Sequence, residues 1–396
     1  MPGLGLWDPD TFLDGPPHDL LTELRHRDPV HHETMADGSD LWLVLRHRDV
    51  VKVARDSASF SASLGGVVIE TLAPEQVEAM RGMLLAMDPP KHLAFRKPVA
   101  PHFRKVVIEQ LEPRIRSVCG QILDDVPRGE VVEFVHDVTA DLPTRVIGEL
   151  MGLPEEDWSY IHKLAEQNTS GQDSDYAGDE PQDGMVQMAL YAIQLAQRRR
   201  AEEPAPDLTS VILGTEFDGH LMDDIEFATF FVQLVTAGND TTKTMLSSGV
   251  LALLEHPVQL QQVRDDPTLI PSAVEEILRW ANPLHYFRRT TTRDSRLGNV
   301  TIPEGHKVAM YYTSANRDEE LFEDSQRFDI HRSPNPHLSF GIAEHHCLGV
   351  HLARLEGRVF FEELLGRFPD IALAGSPVRL RSNLNNAYKH IPVQMR

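Results

Sequence analysis

The chain has 396 residues, 60 acidic against 38 basic, for a formal net charge of −22. With 41% hydrophobic and 25% charged residues it has a globular make-up, which excludes a fibrous or largely disordered protein. The acidic balance repels phosphate backbones and anionic lipid, so neither nucleic acid nor membrane is expected as a partner. The first basic residue is Arg25, so no positive segment opens a secretory signal, and the most apolar stretch, 227–237, is too short to span a bilayer. Two cysteines, Cys119 and Cys347, make no disulfide framework. A cytoplasmic monomer is expected.

Residues 28–48 carry the alternating run Leu41-Trp42-Leu43-Val44-Leu45 after an Asp37-Gly38 turn, which predicts a pair of strands. From 74 to 280 the pattern is mostly helical. Pro89-Pro90 introduces a basic stretch over 91–105, and Pro154 takes a first-turn position of another helix. Residues 171–184 hold Asp173, Asp175, Asp179, Glu180 and Asp183 among small polar residues and read as a surface loop. Asp223-Asp224 then caps the longest helical pattern, 225–255, which His256-Pro257 stops. At 1.5 Å per residue it spans roughly 45 Å, so a helix this apolar must run through the core. Residues 285–313, with turns at Gly298-Asn299 and Glu304-Gly305, read as short strands, and 348–368 as a final helix. The expectation is a mainly α (α+β) fold, one domain over 1–396, with the β pieces of both ends meeting.

The richest chemistry lies in His337-Leu338-Ser339-Phe340-Gly341-Ile342-Ala343-Glu344-His345-His346-Cys347-Leu348-Gly349. Zinc on His345, Cys347 and His351 is disfavoured, because structural zinc sites combine several Cys and His and only one cysteine lies here. A buried structural cysteine is the plainest reading of a lone thiol. The whole segment, however, resembles the haem-ligand loop of the cytochrome P-450 (haem-thiolate monooxygenase) family, with Cys347 as the ligand. Such a loop needs backbone N–H groups and a helix N-terminus facing the sulfur, and glycines for the tight turn. Ala343 stands where the family usually has Gly.

Further motifs follow in the family's order. Within the long helix, Ala237-Gly238-Asn239-Asp240-Thr241-Thr242 could be a polar kink, but an acid and an alcohol in an apolar core helix need partners or a task. The hexad matches the family's oxygen-activation motif, which implies that Asp240 and Thr241 deliver protons during dioxygen activation. Glu276 and Arg279 share a helix face and match the family's Glu-x-x-Arg helix, with Arg327 at the place of the network's third, structural member. The resemblance implies haem-propionate contacts from His92, Arg96, Arg289 and His345, with His337 as a further candidate. It also places the substrate pocket along 60–87, Thr236, Ala237, Leu284, His285, Phe287, Asn385 and Asn386. Cys119 reads as a core cysteine.

The family resemblance implies one triangular helical domain holding haem b. It also implies insertion of one oxygen atom from dioxygen into a medium-sized lipophilic molecule: a terpenoid, steroid or secondary metabolite. Electrons would come from NAD(P)H through a separate ferredoxin and ferredoxin reductase, since no flavin or iron–sulfur domain fits in the chain. Arg354 and Arg358, with Arg104-Lys105, are the expected ferredoxin patch. A peroxide-driven haem enzyme and a non-catalytic haem carrier are the alternatives, and the Asp240–Thr241 pair argues against both.

Overall fold

The computed structural model describes residues 4–176 and 183–396. In chain order, the helices that position the site are α1 (His18–Arg27), α2 (Lys91–Val99), α3 (Glu112–Asp124), α4 (Asp141–Met151), α5 (Trp158–Ser170), α6 (Asp183–Arg200), α7 (Asp224–Glu255), α8 (Ile270–Ala281) and α9 (Val350–Arg367). Helix α7 starts where the Asp223 carboxylate accepts the N–H groups of Ile225 and Glu226 while Glu226 accepts the N–H of Asp223. This reciprocal capping box pairs amides that the helix itself leaves free.

Its 32 residues, about 48 Å long at the usual rise, pack against α4, α5, α6, α8 and α9. Phe227, Phe230, Phe231, Met245 and Leu246 are buried there with Ile147 of α4, Leu164 of α5, Ile277 of α8 and Phe361 of α9. A Cβ at Gly249 would lie 2.7 Å from the Phe361 ring and 2.9 Å from Ile277, so the close crossing of these helices requires glycine.

The five-stranded sheet is built from β1 (Val30–Thr34), β2 (Asp40–Val44), β3 (Phe60–Ser61), β4 (Tyr286–Thr291) and β5 (Lys307–Tyr311), in the order β1-β2-β5-β4-β3. Strand β5 runs parallel to β2, with Lys307 opposite Leu41 and Met310 opposite Val44. The β pieces of the two ends thus meet. Alternation explains why they are covered on both faces: Leu41, Leu43 and Tyr311 pack with Phe12 and Leu21, while Val44, Val308 and Met310 pack with Val50 and Phe60.

The stretch read as a loop over 171–184 is described only outside 177–182. Asp173 is not a solvated loop acid. It is buried, accepts the Arg381 N–H at 2.9 Å and pairs with Lys389 at 3.2 Å, which ties the end of α5 to the C-terminal turn.

Candidate active site

The loop before α9 folds back on itself. Gly341 N–H donates to Leu338 O at 2.8 Å, and Cys347 N–H donates to Phe340 O at 2.8 Å. Gly341 takes φ 65° and Ala343 φ 61°. The turn leaves the Cys347 thiol just ahead of α9, partly accessible. Burial pushes the thiol pKa up, opposed by the Gly349 N–H and by the charges of Arg96 and Arg354. Those are the groups that would stabilise a thiolate. Cys119 differs: it is buried in the α3 core, and desolvation pushes it to about 12.

A left-handed Ala costs on the order of 1 kcal/mol relative to Gly. Ala343→Gly is therefore expected to raise the thermal midpoint slightly and to slow haem loss to a haem-scavenging protein. Faster loss in the glycine variant would show that the turn carries no strain.

Beside the thiol, four donors crowd together. His92 on α2 is fully buried with neither ring nitrogen hydrogen-bonded, and its ring lies 4.4 Å from that of His345. Burial, then Arg96 and Arg289, hold His92 down to about 4; burial, Arg289, His92 and Arg96 hold His345 down to about 2. Arg96 donates to His346 O at 2.6 Å and Arg289 to Arg288 O at 2.8 Å, and neither has a carboxylate partner among the described residues. A buried Arg289, a half-buried Arg96 and an orphaned His92 imidazole without an acid are costly, and a ligand carrying two carboxylates would satisfy them. The residues present fit haem propionates.

The middle of α7 carries the other expected residues. Ala237 is exposed although it lies in a helix through the core, and Thr241 is partly exposed, its hydroxyl donating to Ala237 O at 2.9 Å. Thr236 keeps an unpartnered buried hydroxyl. Leu284 and Phe287 are half-buried, with Phe287 edge-on to Tyr312 at 6.2 Å. Asp240 points elsewhere and lies 3.0 Å from the Lys243 ammonium.

Several expected assignments are corrected. Glu276 and Arg279 do form a fully buried bidentate pair, at 2.7 and 2.8 Å. The third member is Arg332, whose Nε lies 3.2 Å from Glu276 Oε2. Arg327 is exposed and supplies only its backbone carbonyl, which accepts from Arg279. His337 is turned away from the four-donor cluster: its Nε2 lies 3.3 Å from Glu275, which also holds Arg354 at 2.6 Å. Burial alone would raise the Glu275 carboxyl, but His337 and Arg354 overcome it and hold it down to about 2. His285 lies in the core, between Phe12 at 4.5 Å and Tyr311 at 6.4 Å, with its Nδ1 against the Thr313 hydroxyl. Asn386 is spent on the carbonyls of Ala281 and Asn282, and Asn385 on Thr169 O at 2.7 Å. Of the pocket residues, Thr236, Ala237, Leu284 and Phe287 keep accessible or unpartnered groups. Lys243, Glu275 and Arg332 were not singled out from the sequence. Only Lys243 carried a signal, three residues beyond Asp240 on one helix face.

The cytochrome P450 family model matches residues 182–379. The chain is 35% identical over 388 residues to the steroid C26-monooxygenase of Mycolicibacterium smegmatis, covering 96% of this chain and 90% of that one. It is 32% identical over 398 residues to the linalool 8-monooxygenase of Pseudomonas putida, covering 98% of both. The fold matches that of Mycobacterium marinum cytochrome P450 CYP268A2, solved in complex with pseudoionone, with TM-score 0.89, 36% identity and coverage of 95% and 94%. The chain belongs to the cytochrome P450 family, as a monooxygenase of the bacterial type with a haem cofactor. Among the described residues no helix is long and apolar enough to cross a membrane.

Proposed function

We propose that the chain, as one domain in the cytoplasm, binds haem b through Cys347 and oxygenates a medium-sized lipophilic substrate, a steroid or a terpenoid. The observation that carries this reading is the set His92, Arg96, Arg289 and His345, without a carboxylate partner among the described residues and with both His92 ring nitrogens unpartnered, close to the partly accessible Cys347. Thiolate-ligated haem supplies electron push that favours O–O cleavage. The substrate class rests on the activities named for the relatives, with the accessible apolar groups of Ala237, Leu284 and Phe287 suiting a lipophilic molecule. Titrating the haem-loaded protein with sterols, terpene alcohols and straight-chain fatty acids tests it: a spin-state shift at micromolar sterol or terpene is expected. A response to fatty acids alone would overturn the substrate class.

Thr241 and Asp240 are assigned to proton delivery, Thr241 at the open face and Asp240 from behind it. Thr241→Ala should keep oxidising NAD(P)H while much of the product is replaced by hydrogen peroxide. Asp240→Asn should slow NAD(P)H oxidation itself, by about 10²-fold if proton supply becomes limiting. Neither should move the spin-state titration. Full coupling in Thr241→Ala would remove the pair from the reaction.

Electrons are assigned to a ferredoxin and its NAD(P)H-dependent reductase. The patch expected at Arg354 and Arg358 is already neutralised, Arg354 by Glu275 and Arg358 by Glu112 and Glu362. Lys91, Lys97 and Arg104, exposed on and after α2, have no acidic partner among the described residues and are the better site for an acidic ferredoxin. Charge reversal at Lys97 and Arg104 should raise the ferredoxin concentration needed for half-maximal turnover at low salt, while reversal at Arg358 should not. Equal effects would relocate the patch.

A further inference from the structure

Between α3, α4 and the short helix Leu208–Leu213 the surface opens into a cavity of about 470 Å³, lined by none of the residues around Cys347. That size lies within the roughly 300–1,000 Å³ of small-molecule sites. Its walls are aliphatic: Leu111 in the turn before α3, Ile115 and Val118 on α3, Val146 and Leu150 on α4, and Val211 on the short helix. Water against such walls finds few hydrogen-bond partners, so an apolar molecule displaces it favourably.

The polar groups of the lining decide what kind of molecule that is. Arg114 spends its Nε on Glu149 Oε1 at 2.7 Å, and Asp207 is paired with Arg199. The lining carboxylates and guanidinium are thus neutralised by neighbours, and an ionic ligand would have to break a pair to be held. His102 also lines the cavity and makes no side-chain hydrogen bond among the described residues. An imidazole can donate to a ketone or accept from a hydroxyl. The lining therefore complements an uncharged lipophile with one polar group.

Helix α4 connects this cavity to α7. Val146 and Leu150 line the cavity, while Ile147 packs on α7, 3.5 Å from where a Cβ of Gly238 would stand, and Thr144 donates to Asn239 at 3.2 Å. The far wall is tied to the same helix, because the Thr209 hydroxyl donates to Met151 O at 2.6 Å. A molecule in the cavity adds contacts to one side of α4 and restrains the helix that bears on Gly238 and Asn239. We propose that the cavity is a second binding site, for an uncharged terpenoid- or steroid-sized lipophile bearing a hydroxyl or a ketone, and that its occupant tightens substrate binding at α7 by restraining α4. The coupling rests on the assignment of the Ala237–Thr241 stretch to the active site; the second site does not.

Equilibrium dialysis of the haem-loaded protein against tritiated progesterone, with the iron saturated by the bulky azole ketoconazole, tests the site apart from the active site. One equivalent of progesterone should stay bound at micromolar concentration. Val211→Trp and Leu150→Trp, at half-buried lining positions, fill the cavity and should lose that equivalent while keeping haem and the spectral response to the azole. His102→Ala should weaken it about fivefold, by the loss of one hydrogen bond. No retained equivalent, or one that survives both Trp variants, overturns the site, and displacement by palmitate as strong as by unlabelled progesterone overturns the uncharged class. If neither Trp variant retains haem, an unchanged dissociation constant in His102→Ala overturns the site instead. Without the azole, the spin-state titration with progesterone should be sigmoidal in the native protein, and in Val211→Trp hyperbolic with a midpoint about fivefold higher. A titration that is hyperbolic and identical in the two overturns the coupling. Absence of any spin-state response, with the dialysed equivalent intact, would defeat the substrate class proposed for the active site and leave the second site standing.

Discussion

Cys347→Ser should abolish the red-shifted Soret band of the reduced carbon-monoxide complex and all oxygenation, while Cys119→Ser should keep both. The asymmetry follows from where the thiols lie. Cys347 ends a turn stabilised by its own N–H to Phe340 O, at the head of α9, with Arg96 and Arg354 close enough to favour a thiolate. Cys119 is enclosed by α3 and its neighbours, and its thiol is pushed up to about 12, so it stays protonated and has no access to a ligand. Ser at position 347 has the shape for the turn but its hydroxyl is far too weak an acid to replace the thiolate. The reading is decided by one spectrum: a red-shifted band that survives in Cys347→Ser and disappears in Cys119→Ser would reverse the assignment of both cysteines.

The second large effect is on stability. Arg279→Met should cost about 3–5 kcal/mol, because it strips the bidentate partner from a Glu276 carboxylate with no exposed surface. Arg279 also donates to the carbonyls of Asn316 and Ser325 at 2.9 Å, so its loss orphans backbone acceptors in the segment that leads to the Cys347 loop. Against a total of about 5–15 kcal/mol, the variant should fold poorly and retain little haem. Arg332→Ala should be milder, since Glu276 keeps Arg279, the Asp329 N–H and Asn335. Arg327→Ala should stay within about 0.5 kcal/mol, because only its backbone takes part. Urea unfolding of the four proteins orders them. A large loss at Arg327 with none at Arg332 would restore the network expected from sequence.

Local chemistry explains which parts could be read from the chain alone. The start of α7 is a contact between Asp223 and Glu226, three residues apart, and its end is set by His256-Pro257, so both bounds were legible within a residue. The loop around Cys347 is likewise a short-range object whose glycines, histidines and cysteine are neighbours in sequence. Asp240-Thr241 could be found as a pair for the same reason, but not the face each presents.

What only the tertiary structure decided are the partners that come from far away. Arg327 and Arg332 are five residues apart in an irregular segment, and the path of that segment determines which of them reaches Glu276. His337 is drawn to Glu275 across 62 positions, and His285 turns into the core because Phe12 and Tyr311 make room there. Arg354 and Arg358 read as a free basic pair until Glu275 and Glu112 arrive beside them. Lys243 shows the same limit most plainly, since its spacing from Asp240 is written in the helix while Glu166 is brought to it by the packing of α5 on α7. Periodicity and motif spacing specify what lies within a turn or two along the chain; the energy of a buried charge depends on which distant group closes over it, and that is set by packing.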